Sequence, residues 1–270
     1  MTREGSLKTK LAVHGACGRM GKRIIQLAHE DKSLHVVAAV DFAGHPEQGQ
    51  DIGEAAGIGK LGANVTATIP LETHVDVVID FSTPEGTLNV LQTCVARRIP
   101  LVVATTGFSD AQKREIEAAA HHTALLMTPN LSLVVNVLFK LVRQAAEVLK
   151  DRGFDVEIIE RHHRFKKDSP SGTALHFARI IQEAMGEMHI AHGRAGLVGE
   201  RPVREIGMHA VRSGDNVGEH TILFSTLGET MELVHKGHTR DAYARGALQA
   251  AKFLATKQPG RYTMNDVLGL

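Results

Sequence analysis

The sequence predicts an α/β protein: a parallel sheet with helices on both faces, joined to a smaller α+β region built on a mixed sheet. Three observations carry this. Short apolar, β-branched runs alternate with amphipathic runs through the first half of the chain. A glycine-rich turn joins the first strand to the first helix. In the second half, strand-like runs follow one another across short turns, as antiparallel or mixed pairing requires.

Residues 11–14 read as a buried strand. Gly15-Ala16-Cys17-Gly18-Arg19-Met20-Gly21 follows at once, and residues 22–30 carry Ile24, Ile25, Leu27 and Ala28 as an apolar stripe at helical spacing. Residues 34–40 form the next strand, which ends at Asp41. This βαβ unit has the parts that dinucleotide binding needs. Gly15 permits the tight turn, Gly18 lets backbone approach a pyrophosphate, and Gly21 lets the helix pack on the strand. The helix N-terminus attracts phosphate, and Asp41 can accept from ribose hydroxyls. The spacing is G-x-x-G-x-x-G rather than G-x-G-x-x-G. The strands, the helix and Asp41 therefore carry the reading, and a tight turn without a ligand is the plainer alternative. Phe42, not arginine, follows Asp41, which leans the cofactor toward NADH over NADPH. Arg19 remains a cation able to reach a phosphate, and Cys17 takes the place of a small loop residue.

Residues 44–63 read as a surface loop with a short helix. Residues 75–81 are the clearest strand, and Ser82-Thr83-Pro84 opens a helix through residue 97. A strand at 101–104, a helix at 109–120 and a strand at 124–127 complete the alternation. Ligands of such sheets bind at the carboxyl ends of strands. Thr105, Thr106 and Asn130 stand there, as groups for a nicotinamide ribose or equally as ordinary turn and cap residues.

A long amphipathic helix spans residues 134–150 and a half-buried strand spans 154–160. Next comes Glu160-Arg161-His162-His163-Arg164-Phe165-Lys166-Lys167-Asp168-Ser169-Pro170-Ser171-Gly172-Thr173. It sets proton-exchanging histidines and lysine charges before a helix-start signature, the makings of an anion site with proton-transfer groups. A solvated basic loop is the plainer reading of any such run. The cofactor unit upstream tips the balance, because a nicotinamide needs a second domain to present an acceptor. A helix over 173–185 follows, then a loop (194–204), a strand (205–211), a turn (213–220), strands at 221–225 and 230–236, and an alanine-rich helix at 241–256. Residues 1–131, with 242–270 packing back onto them, form the expected dinucleotide-binding domain. Residues 132–241 form the expected substrate and oligomerisation domain.

The 270 residues suffice for one large domain or two smaller ones. A formal net charge of +1 and the absence of tryptophan argue against a nucleic-acid partner. With 16 histidines, no single histidine is a signal by itself. Cys17 and Cys94 fall in no metal-binding or disulfide pattern, so no metal is expected and the location expected is cytoplasmic. Residues 1–10 are polar, unlike a secretory signal, and no apolar run approaches a membrane span.

Five motifs in order resemble one family: Gly-Ala-Cys-Gly-Arg-Met-Gly, Asp-Phe-Ser-Thr-Pro-Glu-Gly, Ala-Thr-Thr-Gly-Phe, the histidine block, and Arg-Ser-Gly-Asp-Asn-Val-Gly-Glu-His. They are similar to the 4-hydroxy-tetrahydrodipicolinate reductase (dihydrodipicolinate reductase) family of the diaminopimelate route to lysine, over nearly the whole chain. The resemblance implies a Rossmann-type cofactor domain, a mixed-sheet substrate domain and a homotetramer built through that sheet. It implies a small-molecule cyclic dicarboxylate as substrate and NADH or NADPH as reductant. Carried onto these residues, it makes His162 the catalytic histidine and Lys166 the proton donor, with His163, Gly172 and Thr173 binding substrate. Gly15, Ala16, Cys17, Gly18, Arg19, Met20, Asp41, Ala104, Thr105, Thr106, Thr128, Pro129, Asn130 and Leu131 match cofactor positions. Phe42 stands where some members carry arginine, Ala104 where glycine is usual, Leu131 where phenylalanine is frequent, and Val135 where glycine is frequent. Two other readings fit part of the pattern: another two-domain dehydrogenase of a small acid, and a dinucleotide-binding sensor without catalysis.

Overall fold

The computed structural model describes residues 8–270, so most of the polar lead expected at residues 1–10 lies outside the described residues. The chain alternates from its start: β1 (Thr9–His14), α1 (Arg19–Glu30), β2 (Leu34–Val40), α2 (Ile52–Ala55), β3 (Val65–Thr66), β4 (Val77–Asp80), α3 (Pro84–Arg97), β5 (Leu101–Val103), α4 (Asp110–Ala119) and β6 (Ala124–Met127). Local chemistry fixes the helix starts. Thr83 caps α3 by accepting from the Gly86 N–H, with Pro84 at the first helical position. Ser109 and Gln112 form a reciprocal capping box on α4. Then follow α5 (Leu133–Leu149), β7 (Asp155–His162), α6 (Gly172–Met185), β8 (His189–Ala191), β9 (Glu205–Arg212), β10 (Gly218–Thr226), β11 (Glu229–Gly237), α7 (Asp241–Leu254), β12 (Gly260–Tyr262) and α8 (Met264–Leu268).

Two compact units result. One holds the chain up to Leu131 together with Tyr243–Leu270, the other Ser132–Ala242. The first carries a seven-stranded sheet in the order β12-β6-β5-β4-β1-β2-β3, parallel throughout. Strand order reverses between β1 and β4, which makes their carboxyl ends the switch point where such sheets take ligands. In the unit's core, Val78, Leu101, Val103 and Leu125 of the strands pack with Cys94 and Ile116 of the helices. Each such burial contributes roughly 1.5–3 kcal/mol.

The second unit carries a five-stranded mixed sheet in the order β11-β10-β7-β9-β8. Helices α5 and α6 cover one face, with Val142, Phe177, Ile158, Ile222 and Phe224 in the core. Along β7 burial alternates, so Val156, Ile158, Glu160 and His162 share the inner face. The same strand thus supplies the core at one end and a buried polar pair at the other. Five elements differ from expectation. Strand β7 runs on through Arg161 and His162, so the histidine block begins on a strand rather than in a loop. Strand β10 starts at Gly218, so His220 lies in the sheet and not in a turn. The short strands β3, β8 and β12 have too few residues to show a period, and their pairing partners define them. Among the described residues, no helix is long and apolar enough to cross a membrane.

Candidate active site

In the first unit, Gly15 takes φ +74 as β1 turns into α1. A Cβ at Gly15 would collide with the Phe81 carbonyl, and one at Gly21 with the Gly15 carbonyl. Both glycines are therefore required by close backbone approach. The amides of the turn are mostly spoken for. Gly15 and Ala16 donate to Val40 O at 2.9 and 3.1 Å, and Gly18 to Gly15 O at 3.2 Å. Cys17 donates to Asp41 Oδ2 at 2.8 Å. The first helical bond of α1 runs from Lys22 to Gly18. The amides of Arg19, Met20 and Gly21 thus have no intrahelical acceptor, and Gly18 offers no side-chain cap. A pyrophosphate fits this opening. Of the expected residues, Arg19 and Met20 are the ones whose amides are available, Gly21 joins them, and the turn glycines act by shape.

Asp80 organises the switch point. It is fully buried and accepts from His14 Nδ1 at 2.7 Å, Ser82 Oγ at 2.6 Å, Thr87 Oγ1, and Thr105 Oγ1 at 2.7 Å. Four donors offset the desolvation of one carboxylate. They also tie the ends of β1, β4 and β5 to the first turn of α3. The Thr105 hydroxyl additionally accepts the Ser82 N–H at 3.0 Å, so it braces the crevice rather than projecting into it. Ala104 donates its amide to Asp80 O at 2.9 Å. Thr106 and Pro129 are exposed and Thr128 is half-buried, while Asn130 and Leu131 are buried. The Thr128 hydroxyl donates to Asn130 O at 3.1 Å.

In the second unit, Glu160 plays the corresponding part. Its carboxylate is fully buried. It accepts from His162 Nδ1, from Arg212 in a bidentate pair at 2.9 and 2.7 Å, and from the Ser171 amide at 3.1 Å. Burial alone would raise its pKa. The bonds from His162 and Arg212 outweigh that and hold the group at about 2. Held by a carboxylate at Nδ1, the His162 ring directs Nε2 away from Glu160. Arg212 also donates to Asp168 O at 2.7 Å, pinning the loop after His163. Lys166 Nζ pairs with Asp168 Oδ1 at 2.7 Å. His163 Nδ1 is buried with no hydrogen-bond partner among the described residues.

Ser171 caps α6 by accepting from Ala174 N–H at 3.2 Å. Gly172 and Thr173 occupy the first two positions of that helix, and space above Gly172 is open. The second unit thus gathers His162, His163, Lys166, Gly172 and Thr173 around one strand end and one helix start. Arg164 and Lys167 face solvent. Beneath His162 lie His220 (ring centroids 5.4 Å) and then His235 (5.8 Å from His220). Burial, followed by the neighbouring histidines His162 and His235, lowers the His220 pKa to about 3. Sequence reading missed Glu160, Arg212, His220 and Asp80 as site residues. The signal for Glu160 was a polar residue continuing the inward alternation of a core strand.

Two family models match the chain end to end. "Dihydrodipicolinate reductase, N-terminus" covers residues 9–131, and "Dihydrodipicolinate reductase, C-terminus" covers residues 134–268. The chain is 47% identical over 269 residues to 4-hydroxy-tetrahydrodipicolinate reductase of Rhodopirellula baltica, covering 96% of each chain. It is 43% identical over 265 residues to the enzyme of the same name from Syntrophus aciditrophicus, covering 96% of this chain and 98% of that one. Among solved structures, dipicolinate-bound dihydrodipicolinate reductase from Paenisporosarcina sp. TG-14 superposes with a TM-score of 0.75 at 23% identity, over 95% of this chain and 98% of that one. An amine dehydrogenase from Mycobacterium smegmatis shares the fold, with a TM-score of 0.66 at 13% identity over 98% of this chain and 97% of that one.

Proposed function

The chain belongs to the dihydrodipicolinate reductase family, and on that premise we propose that it reduces 4-hydroxy-tetrahydrodipicolinate to tetrahydrodipicolinate in the diaminopimelate route to lysine. The observation that carries this is the Glu160-braced His162 at the end of β7, with Lys166 in the short loop between it and the open start of α6. A bound NADH or NADPH supplies hydride. In this reading the first unit binds the cofactor: the Arg19, Met20 and Gly21 amides take the pyrophosphate, Asp41 the adenosine ribose, and Thr106 and Thr128 lie at strand ends suited to the nicotinamide half. NADH is the preferred reductant, from Asp41 followed by Phe42.

The second unit binds the acceptor. His163, the Gly172 amide and Thr173 hold a carboxylate at the helix start. Hydride addition leaves negative charge on the substrate. Lys166 stabilises that charge and delivers the proton, with His162 oriented by Glu160 to assist. Before substrate arrives, Asp168 Oδ1 holds the Lys166 ammonium at 2.7 Å. The dipicolinate bound to the solved relative is a dicarboxylate, the class these donors suit. The enzyme works in the cytoplasm, as a homotetramer joined through the face of the mixed sheet that α5 and α6 leave open.

The test is oxidation of NADH and of NADPH with the substrate generated in situ. Lys166→Ala is expected to lower kcat about 10²–10⁴-fold, the range for loss of a general acid. No turnover with either cofactor, or an unaffected Lys166→Ala variant, sinks the proposal.

A further inference from the structure

Past Asp41 the chain folds back on itself. Gln48 Nε2 donates to Asp41 O at 3.3 Å and Phe42 O at 3.1 Å. His45 N–H donates to Phe42 O at 3.1 Å, and the His45 ring meets Phe42 edge-on with centroids 5.1 Å apart. Glu47 N–H donates to His45 Nδ1 at 3.1 Å. These bonds return Glu47 to the glycine turn, where its Oε1 accepts from Lys22 Nζ at 2.5 Å. Its ligand atoms and those of Cys17 and His45 lie within 4.8 Å of one another. Asp41 meanwhile holds the Cys17 amide at 2.8 Å. Two carboxylates therefore flank one residue of the turn. Bonding from Lys22 holds the Glu47 carboxyl below its usual range, so it is ionised at neutral pH. Burial, then Glu47 and Asp41, push the Cys17 thiol to about 12. That protonated thiol, the ammonium on Glu47 and the occupied His45 Nδ1 disfavour a cation at this cluster.

We propose that Glu47 is a specificity-determining residue that selects against a 2′-phosphate on the adenosine ribose. It sets a second negative charge beside Asp41 and neutralises Lys22, the cation that would otherwise meet that phosphate. This rests on the reading above, in which the glycine turn and Asp41 hold that ribose. Asp41 discriminates through hydrogen bonds to the ribose hydroxyl. Glu47 acts by charge, which a phosphate feels over several ångströms.

The test compares kcat/KM for NADH and NADPH, with fluorescence titration of each cofactor, in wild type, Glu47→Gln and Lys22→Met. Glu47→Gln removes the charge and releases the ammonium. It is expected to raise the NADPH-to-NADH ratio about tenfold or more, an effect one nearby charge readily supplies. Lys22→Met leaves both carboxylates unopposed and is expected to lower the ratio. If Glu47→Gln fails to fold, Lys22→Met decides by the sign of its shift. A ratio indifferent to both changes, or a rise in Lys22→Met, overturns the inference alone. A wild-type chain that binds neither cofactor overturns it together with the reductase reading.

Discussion

A carboxylate cut off from water must be bonded on every side, and Glu160 is. His162, Arg212 and the Ser171 amide reach it from a strand neighbour, a parallel strand and a helix cap. Glu160→Gln keeps the shape, removes the charge and places an amide donor against Arg212. The expected result is a fold that survives with a kcat lowered about 10–100-fold, the range for loss of an outer partner that orients a reacting group. Steady-state kinetics check this, because loss of an orienting partner lowers kcat while leaving KM largely in place. A change confined to KM would show that Glu160 serves binding alone. His162, His163 and Lys166 were legible in the sequence because they cluster. Glu160 and Asp80 were not, because each lies at the end of an apolar run and reads as the strand's polar edge. Thr105 was legible as a position but not in its part, since nothing local shows that Asp80 and the Ser82 amide occupy its hydroxyl.

Elements carry the positions that single residues cannot. Strand β7 delivers Glu160 and His162 because it continues, inward face first, from the core residues Val156 and Ile158. Through Gly246, helix α7 stands against the segment that follows β6, and a Cβ at Gly246 would collide with the Leu131 carbonyl. Gly246→Ala cannot be accommodated by a side-chain shift, because the obstacle is backbone. It is expected to destabilise the protein by about 1–3 kcal/mol, seen as a lower Tm in circular dichroism. An unchanged Tm would mean that the helix slides at no cost. The longer elements were readable from their periods and caps, as Thr83-Pro84 and Ser109 with Gln112 illustrate. Strands β3, β8 and β12 were not, since two or three residues hold no period and gain their identity from partners far away in sequence.

At the scale of the whole molecule, the polar groups sealed into the second unit make its stability depend on pH. The sheet registers Glu160 against His220 and His220 against His235, so a carboxylate and two imidazoles share one buried face. Burial, then the neighbouring His162 and His235, lower the His220 pKa to about 3, and burial lowers that of His235. Against burial, hydrogen bonds from Arg194, His209 and Arg201 hold Glu157 at about 2, as those from His162 and Arg212 hold Glu160. A histidine depressed in the fold stays neutral while its unfolded form binds a proton, so its contribution is complete above about 6.5 and declines as pH falls toward 3. A depressed carboxylate behaves likewise in a lower window: its contribution is complete above about 4.5 and lost as pH falls through about 2. Stability should therefore decline in two stages on acidification, the histidine stage approaching about 1.4 kcal/mol per pH unit for each proton linked. Melting followed by circular dichroism from pH 8 to pH 3 checks this. In His220→Gln, whose amide can still bond Ser171 and does not titrate, the slope between pH 6.5 and pH 4.5 should flatten while the carboxylate stage remains. An identical slope in the variant would assign the upper stage to other histidines of the chain.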